Sequence, residues 1–317
     1  MNLIPDSPST AELFFDYVQN TPQHVFAKFN GRELTANELH HLVQDTVRQL
    51  RGLGIESGDR VAYMLDNNLD LIVLIFSLML IGSIQIPINT KLRNDSLKFI
   101  VSHCEAKLIL AEKSYQPILT PLVSPQLSDK IIYRHSQHSF QWHNPKHDRS
   151  TVVVEDGVLG ADDVQFILYT SGTTGEPKGV LVTDRMLRAA ADACAQTSSA
   201  SANDRFLLWE PLFHIGALQI LPLVLLKHIS LILVSTFSAS QFWECVRTER
   251  VTKIHFLGGI LQILLRQPAK DDRNHSCQIA WGGGAPTHVA KAFEQRFGIE
   301  VRAVSYTHLR AHETFAN

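Results

Sequence analysis

Cysteine is scarce and scattered in this chain. The four thiols, Cys104, Cys194, Cys245 and Cys277, stand far apart, and no two form a C-x-x-C pair. A dense disulfide framework and the common zinc spacings are thereby excluded, and buried thiols in a reducing compartment are expected. Charge imbalance is also lacking. A net charge of −2 over 317 residues gives no reason to expect nucleic acid or an anionic membrane surface as partner. Residues 1–16 contain neither a basic n-region nor an apolar h-region, so no secretory signal is read there and a cytoplasmic location is expected. Long apolar runs are absent too. Residues 71–90 carry no charge, but Gly82, Gln85 and Pro87 interrupt the second half, whereas a bilayer span needs about 20 predominantly apolar residues. The stretch predicts a buried helix over 71–81 passing into a strand over 84–88, and no membrane span. Residues 136–163 are polar and lack periodicity. His135, His138, His143 and His147 lie in or beside them at a spacing that matches no defined metal site. A solvated surface loop is expected there, and no protein metal site.

What is present is an ordinary globular balance, 45% apolar and 19% charged, ample for a sizeable core. A short helix over 11–19 precedes a hairpin turned by Asn30-Gly31, the strongest short hairpin signal. Thr35 and Glu38 then stand at capping-box spacing before a helix with Leu39, Leu42, Val43, Thr46, Val47 and Leu50 on one face. Strands over 60–65, 84–88 and 108–111 alternate with helices over 71–81 and 95–103. Alternation of this kind predicts an α/β fold with parallel sheets flanked by helices.

The densest chemistry lies in Tyr169-Thr170-Ser171-Gly172-Thr173-Thr174-Gly175-Glu176-Pro177-Lys178-Gly179-Val180. It follows an apolar strand over 164–168 and precedes a helix-like segment from Asp184. Its glycines permit backbone conformations that let main-chain N–H groups converge on an anion. Ser171, Thr173 and Thr174 add hydroxyls, and Lys178 adds a mobile positive charge, together suited to a many-oxygened anion. The ordinary P-loop, G-x-x-x-x-G-K-[ST], does not fit, because Pro177 precedes Lys178 and Gly179 follows it. Two further constellations lie downstream. Pro211-Leu212-Phe213-His214 ends a strand over 205–209, where ligands bind in α/β sheets. Gly282-Gly283-Gly284-Ala285-Pro286 ends a strand over 278–281, and its small residues let a planar base or an acyl chain approach the backbone. Pro286 suits a first helical turn.

The loop from Tyr169 to Gly179 resembles, over its whole length, the phosphate-binding signature Y-T-S-G-T-T-G-x-P-K-G of the adenylate-forming superfamily, which includes acyl-CoA synthetases, luciferases and peptide-synthetase adenylation domains. The early segments G-D-R-V-A-Y-M-L-D-N-N and G-S-I-Q-I-P-I-N-T-K-L are similar to acyl-CoA synthetases. The run from F-S-A-S-Q-F-W to G-G-G-A-P looks most like the crotonobetaine/carnitine-CoA ligase branch. The resemblance implies the large α/β N-terminal domain of such an enzyme, with two layered sheets meeting near the glycine loop. It implies ATP, Mg2+ and CoA, with a carboxylic acid of unspecified chain length as the remaining small-molecule substrate. Thr170, Ser171, Gly172, Thr173, Thr174, Gly175 and Lys178 would then hold the β- and γ-phosphates. His214 would sit beside the substrate carboxylate, and Gly283, Gly284, Ala285 and Pro286 would wall the adenine and acyl pocket. Amino-acid-activating members typically place an aspartate where His214 stands, so an amino-acid adenylation domain is disfavoured. A non-catalytic nucleotide-binding fragment is the other alternative.

The resemblance runs over about residues 10–304. The family continues with Y-G-x-T-E, but this chain reads Ser305-Tyr306-Thr307-His308-Leu309-Arg310-Ala311-His312-Glu313-Thr314. Tyr306 and Glu313 are not at that spacing, and neither takes a role. Residues 305–317 therefore read as foreign to the family, and residues 1–304 as a truncated adenylation domain of impaired activity.

Overall fold

A computed structural model of the chain describes residues 8–134, 160–170 and 176–304. The four clustered histidines, most of the polar stretch over 136–163 and the tail over 305–317 lie outside the described residues. Helix α1 (Thr10–Asn20) precedes the hairpin of β1 (Val25–Phe29) and β2 (Arg32–Thr35), followed by α2 (Ala36–Gly52). Then β3 (Arg60–Met64), α3 (Leu69–Ile81), β4 (Ile84–Pro87), α4 (Asn94–His103) and β5 (Leu108–Glu112) alternate. Two single turns, α5 (Gln116–Leu119) and α6 (Pro125–Ser128), lead to β6 (Ile131–Arg134). After β7 (Val164–Thr170) and β8 (Lys178–Thr183) come α7 (Asp184–Ser198), β9 (Arg205–Leu208), α8 (Ile215–Leu218), α9 (Ile220–Lys227) and β10 (Ser230–Leu233). The series closes with α10 (Ala239–Thr248), β11 (Lys253–Leu257), α11 (Ile260–Leu265), β12 (Ile279–Gly283), α12 (Thr287–Phe297) and β13 (Glu300–Val304).

The strands form two sheets. Seven run in the order β13-β12-β11-β9-β10-β1-β2 and six in the order β6-β5-β3-β4-β7-β8. Pairing is parallel except at one edge of each sheet, where β2 and β8 run antiparallel to their neighbours. The expected α/β architecture with parallel sheets is thus present, with the two sheets layered over a shared core.

Alternation along the strands sorts the apolar residues into three layers. Val61 and Tyr63 of β3 face the central layer with Phe14, Phe26, Phe76, Phe206 and Leu223. Ala62 and Met64 face the opposite way, against Leu97, Ile100 and Leu119. On the far side of the seven-stranded sheet, Leu207, Ile254 and Phe256 pack on Phe242, Phe293 and Phe297. Helix α3 lies in the central layer and is apolar on every side. At about 1.5 Å per residue it measures about 20 Å, and no described helix is long and apolar enough to cross a membrane. Its polar groups are satisfied internally: Ser77 donates to the Val73 carbonyl at 2.7 Å, and Gln85 donates to the Ile75 carbonyl at 3.1 Å.

Local details differ from expectation in three places. The Thr35 hydroxyl does cap α2, accepting from the Glu38 N–H at 3.2 Å. The Glu38 carboxylate, however, pairs with Arg32 at 2.8 Å instead of completing a capping box. A full capping box forms at Ser9 and Glu12, at the start of α1. Lastly, the glycine loop does not join a strand to a helix. It joins two antiparallel strands, with Thr170 opposite Lys178.

Gly282 fixes how closely β11 and β12 approach. It lies opposite Phe256 in the parallel register, with φ +153°, and an added Cβ would collide with the Phe256 carbonyl oxygen. Gly31 also has positive φ (+80°), but open space surrounds its Cβ position. Gly282→Ala is expected to destabilise the fold by about 3 kcal/mol or more through strain and overpacking. Gly31→Ala should cost less. Urea denaturation of both variants measures the difference, and equal losses would contradict this packing.

Candidate active site at the carboxyl edges of the two sheets

One buried amide joins the sheets where their carboxyl ends meet. Asn67 follows β3, and its Nδ2 donates to the Glu210 carbonyl at 2.8 Å. A longer contact of 3.5 Å reaches the Val234 carbonyl. Its Oδ1 accepts from the Leu212 N–H at 2.9 Å. Glu210 follows β9 and Val234 follows β10, so the ends of β3, β9 and β10 are tied at one point. Strand β7 runs parallel to β4, and β4 to β3, so Thr170 ends at this same edge. Gly283 ends β12, which is parallel to β11 and through it to β9.

On the six-stranded side, Thr170 and Lys178 are exposed and paired in register. The Thr170 hydroxyl donates to the Lys178 carbonyl at 3.5 Å. Two facing strands therefore present the start and end of the glycine loop together. Ser171, Gly172, Thr173, Thr174 and Gly175 lie outside the described residues. Tyr169 is anchored beneath, its hydroxyl 2.7 Å from Nδ1 of His103. Burial, the largest influence, pushes the Tyr169 phenol up to about 12.

On the seven-stranded side, His214 stands at the N-terminal boundary of α8 in an extended conformation. Its N–H bonds the Pro211 carbonyl at 3.0 Å, and its ring rests on Phe213 with centroids 4.6 Å apart. The side chain reaches solvent, yet surrounding protein atoms partly desolvate it. That desolvation is the main cause of a lowered pKa, which Glu210 opposes and Lys91 reinforces. Lys91 follows β4 of the other sheet, so its field at His214 marks the two edges as neighbours.

The third constellation lies beside them. Gly283 is buried at the end of β12, and its carbonyl accepts from the Gly258 N–H at 2.9 Å. Gly284 takes φ +80°, and a Cβ there would press at 3.3 Å on the Gly258 backbone. Ala285 is half-buried and Pro286 exposed. Pro286 is the N-cap of α12 and not, as expected, a residue of its first turn.

Three polar residues that sequence reasoning left without a role join these pieces. Glu210, 2% exposed, lies beneath α8, where a Cβ on Gly216 would meet Oε1 at 3.2 Å and Oε2 at 3.3 Å. His255 Nδ1 is 2.7 Å from Glu210 Oε2, and its ring packs on Trp281 with centroids 4.2 Å apart. A charge inside the apolar run Leu207-Leu208-Trp209-Glu210-Pro211-Leu212 and a histidine inside a strand were the available signals. No group of three or more His, Cys, Asp or Glu that could hold a metal occurs among the described residues. A separate cavity of about 160 Å³, lined by Trp209, Thr236, Phe237 and Gln241 among others, opens at the end of β10. It involves none of the predicted site residues.

The fold is an α/β domain whose parallel strands bring the ends of the glycine-rich segment, His214 and a glycine-rich strand end to its carboxyl edges, the usual place for a ligand in such sheets. The AMP-binding enzyme family matches residues 14–306, and the chain belongs to it. It is 30% identical over 237 residues to a long-chain-fatty-acid–CoA ligase, FadD13, of Mycobacterium tuberculosis, covering 73% of this chain and 45% of that protein. It is 28% identical over 287 residues to a crotonobetaine/carnitine–CoA ligase of Salmonella paratyphi B, covering 85% of this chain and 54% of that protein. The inhibitor-bound N-terminal domain of FACL13 from Mycobacterium tuberculosis superimposes with a TM-score of 0.77 at 25% identity, over 93% of this chain and 75% of that one. The chain spans about half the length of the curated relatives it matches.

The lowered pKa of His214 keeps the imidazole neutral at pH 7. Because the folded value lies below that of the unfolded chain, folding favours the neutral form. The associated stability is complete above about pH 6.5, the unperturbed histidine value, and is lost as pH falls toward the folded pKa. Proton NMR of the His214 ring is expected to give a midpoint below 6.5. A midpoint above it would contradict the desolvated setting.

Proposed function

We propose that this chain is the nucleotide- and acid-binding part of an AMP-forming acid–CoA ligase. The observation that carries the reading is the convergence of the Thr170–Lys178 loop ends, His214 and the Gly283–Pro286 turn on adjoining carboxyl edges. In this reading a carboxylate oxygen attacks the α-phosphorus of ATP and pyrophosphate leaves, giving an acyl-adenylate. The sulfur of CoA then attacks the acyl carbonyl, the thiol proton is lost and AMP leaves, giving a thioester. Magnesium enters with ATP as part of the substrate, and no described residue is assigned as its ligand.

Each element has a physical task. Lys178 and Thr170, with Ser171, Gly172, Thr173, Thr174 and Gly175, hold the β- and γ-phosphates through charge, hydroxyls and backbone N–H groups. Fixed donors of this kind stabilise charge that develops on the departing pyrophosphate. Neutral His214 donates a hydrogen bond to the acid's carboxylate and orients it without bringing a competing anion. Gly283, Gly284, Ala285 and Pro286 leave flat, unobstructed backbone on which adenine and the start of the acyl chain can lie.

Lys178→Ala should weaken ATP binding by removing a charge-assisted contact of about 1.5–3 kcal/mol, roughly 10- to 150-fold in Kd. Titration calorimetry of the 317-residue chain with Mg·ATP measures this directly. His214→Asp should retain ATP affinity and weaken the binding of simple carboxylic acids by like-charge repulsion. Unaltered ATP binding by the Lys178 variant would remove the phosphate role from this loop.

A further inference from the structure

Resting on the acid–CoA ligase reading, we infer that Glu210, His255 and Trp281 form a polar end to the acyl site, selecting acids whose far end carries a hydrogen-bond donor. His255 and Trp281 are register neighbours in the middle of β11 and β12, and Glu210 lies just beyond β9. All are nearly inaccessible: Glu210 is 2% exposed, Trp281 3% and His255 8%. Even so, neither carboxylate oxygen of Glu210 is in a hydrogen bond, nor is Nδ1 of His255 or Nε1 of Trp281, among the described residues. His255 Nδ1 approaches Glu210 Oε2 at 2.7 Å as an ion-pair contact, whereas Glu210 Oε1 and the Trp281 N–H have no partner of either kind among the described residues.

Buried polar groups in folded proteins are almost always paired, and a buried set whose hydrogen-bonding capacity is left unfilled in one place signals a missing partner. The set is chemically complementary to a particular kind of group. The two oxygens of Glu210 only accept, the indole N–H of Trp281 only donates, and His255 can do either. A hydroxyl satisfies both needs, donating to Glu210 and accepting from Trp281. A primary ammonium satisfies Glu210 through charge. A terminal methyl satisfies neither and leaves every group orphaned. Position agrees with this role. Gly216 packs against the carboxylate, where a Cβ would stand only 3.2–3.3 Å from its oxygens, and Gly216 is two residues from His214. Trp281 is two residues before Gly283. Glu210 is also near enough to His214 to act on it electrostatically, so the far end of an acid held at His214 is placed against this group. A site built to bond a substrate's polar group rejects the analogue lacking it far more strongly than an apolar pocket rejects an extra methylene.

The test uses three acids of nearly equal length and shape, heptanoate, 6-hydroxyhexanoate and 6-aminohexanoate, titrated by calorimetry into the 317-residue chain. 6-Hydroxyhexanoate or 6-aminohexanoate should bind at least about tenfold more tightly than heptanoate. Glu210→Gln should lose the preference for the ammonium and keep part of that for the hydroxyl, because an amide oxygen still accepts. Glu210→Leu, checked for folding by circular dichroism, should reverse the order in favour of heptanoate; if it does not fold, Glu210→Gln decides. Equal binding of the three acids, tighter binding of heptanoate, no binding of any, or an unchanged order in the folded variants would overturn the inference. Mg·ATP is titrated in parallel. ATP binding without acid discrimination defeats the polar site alone, whereas absence of ATP binding defeats the ligase reading.

Discussion

The side-chain amide of Asn67 is the constraint on which the site depends. It has one donor group and one acceptor oxygen, and both are committed across the junction between the sheets. Glu210 and Leu212 lie on either side of Pro211, which has no N–H to offer. The backbone between β9 and α8 therefore has no strand partner here and takes its shape from Asn67. Losing the amide would leave a buried carbonyl and a buried N–H unpaired, each costing about 1–3 kcal/mol. That is a large part of a typical stability of 5–15 kcal/mol. The placement of the segment that leads to His214 is therefore set by a residue with no chemical role of its own.

Much of the fold could be read from periodicity, because local pattern and final environment agree there. The Asn30-Gly31 turn, the cap at Thr35 and the glycine stop of α3 at Gly82 are short-range features, and each appears where expected. The glycine loop was legible as a motif but not as topology. A strand of six residues from Lys178 to Thr183, four of them exposed, has too little apolar alternation to announce itself. Its pairing with β7 depends on chain reversal through the loop, which local propensity does not encode. Asn67, Glu210, His255 and Trp281 were invisible as a set for a related reason. They are separated by up to 214 positions in the sequence, and each alone reads as an ordinary core or loop residue.

The two halves of the site differ in character. The side proposed for the phosphates is exposed, cationic at Lys178 and built from an edge hairpin, features suited to a highly charged ligand that retains much of its hydration. The side proposed for the acid lies at the start of α8, where His214 reaches solvent above the buried Glu210. Low polarity there strengthens every unpaired polar group, which gives Glu210 and its neighbours their selective power.

The central claim is that the glycine loop and the β12 turn form one nucleotide site across two sheets. Hydrogen–deuterium exchange of the 317-residue chain with and without Mg·ATP tests it most directly. The account predicts that ATP slows exchange in peptides covering both 169–180 and 282–286, and leaves the cavity around Thr236 and Gln241 unaffected. Protection confined to that cavity, or to only one of the two segments, would contradict it.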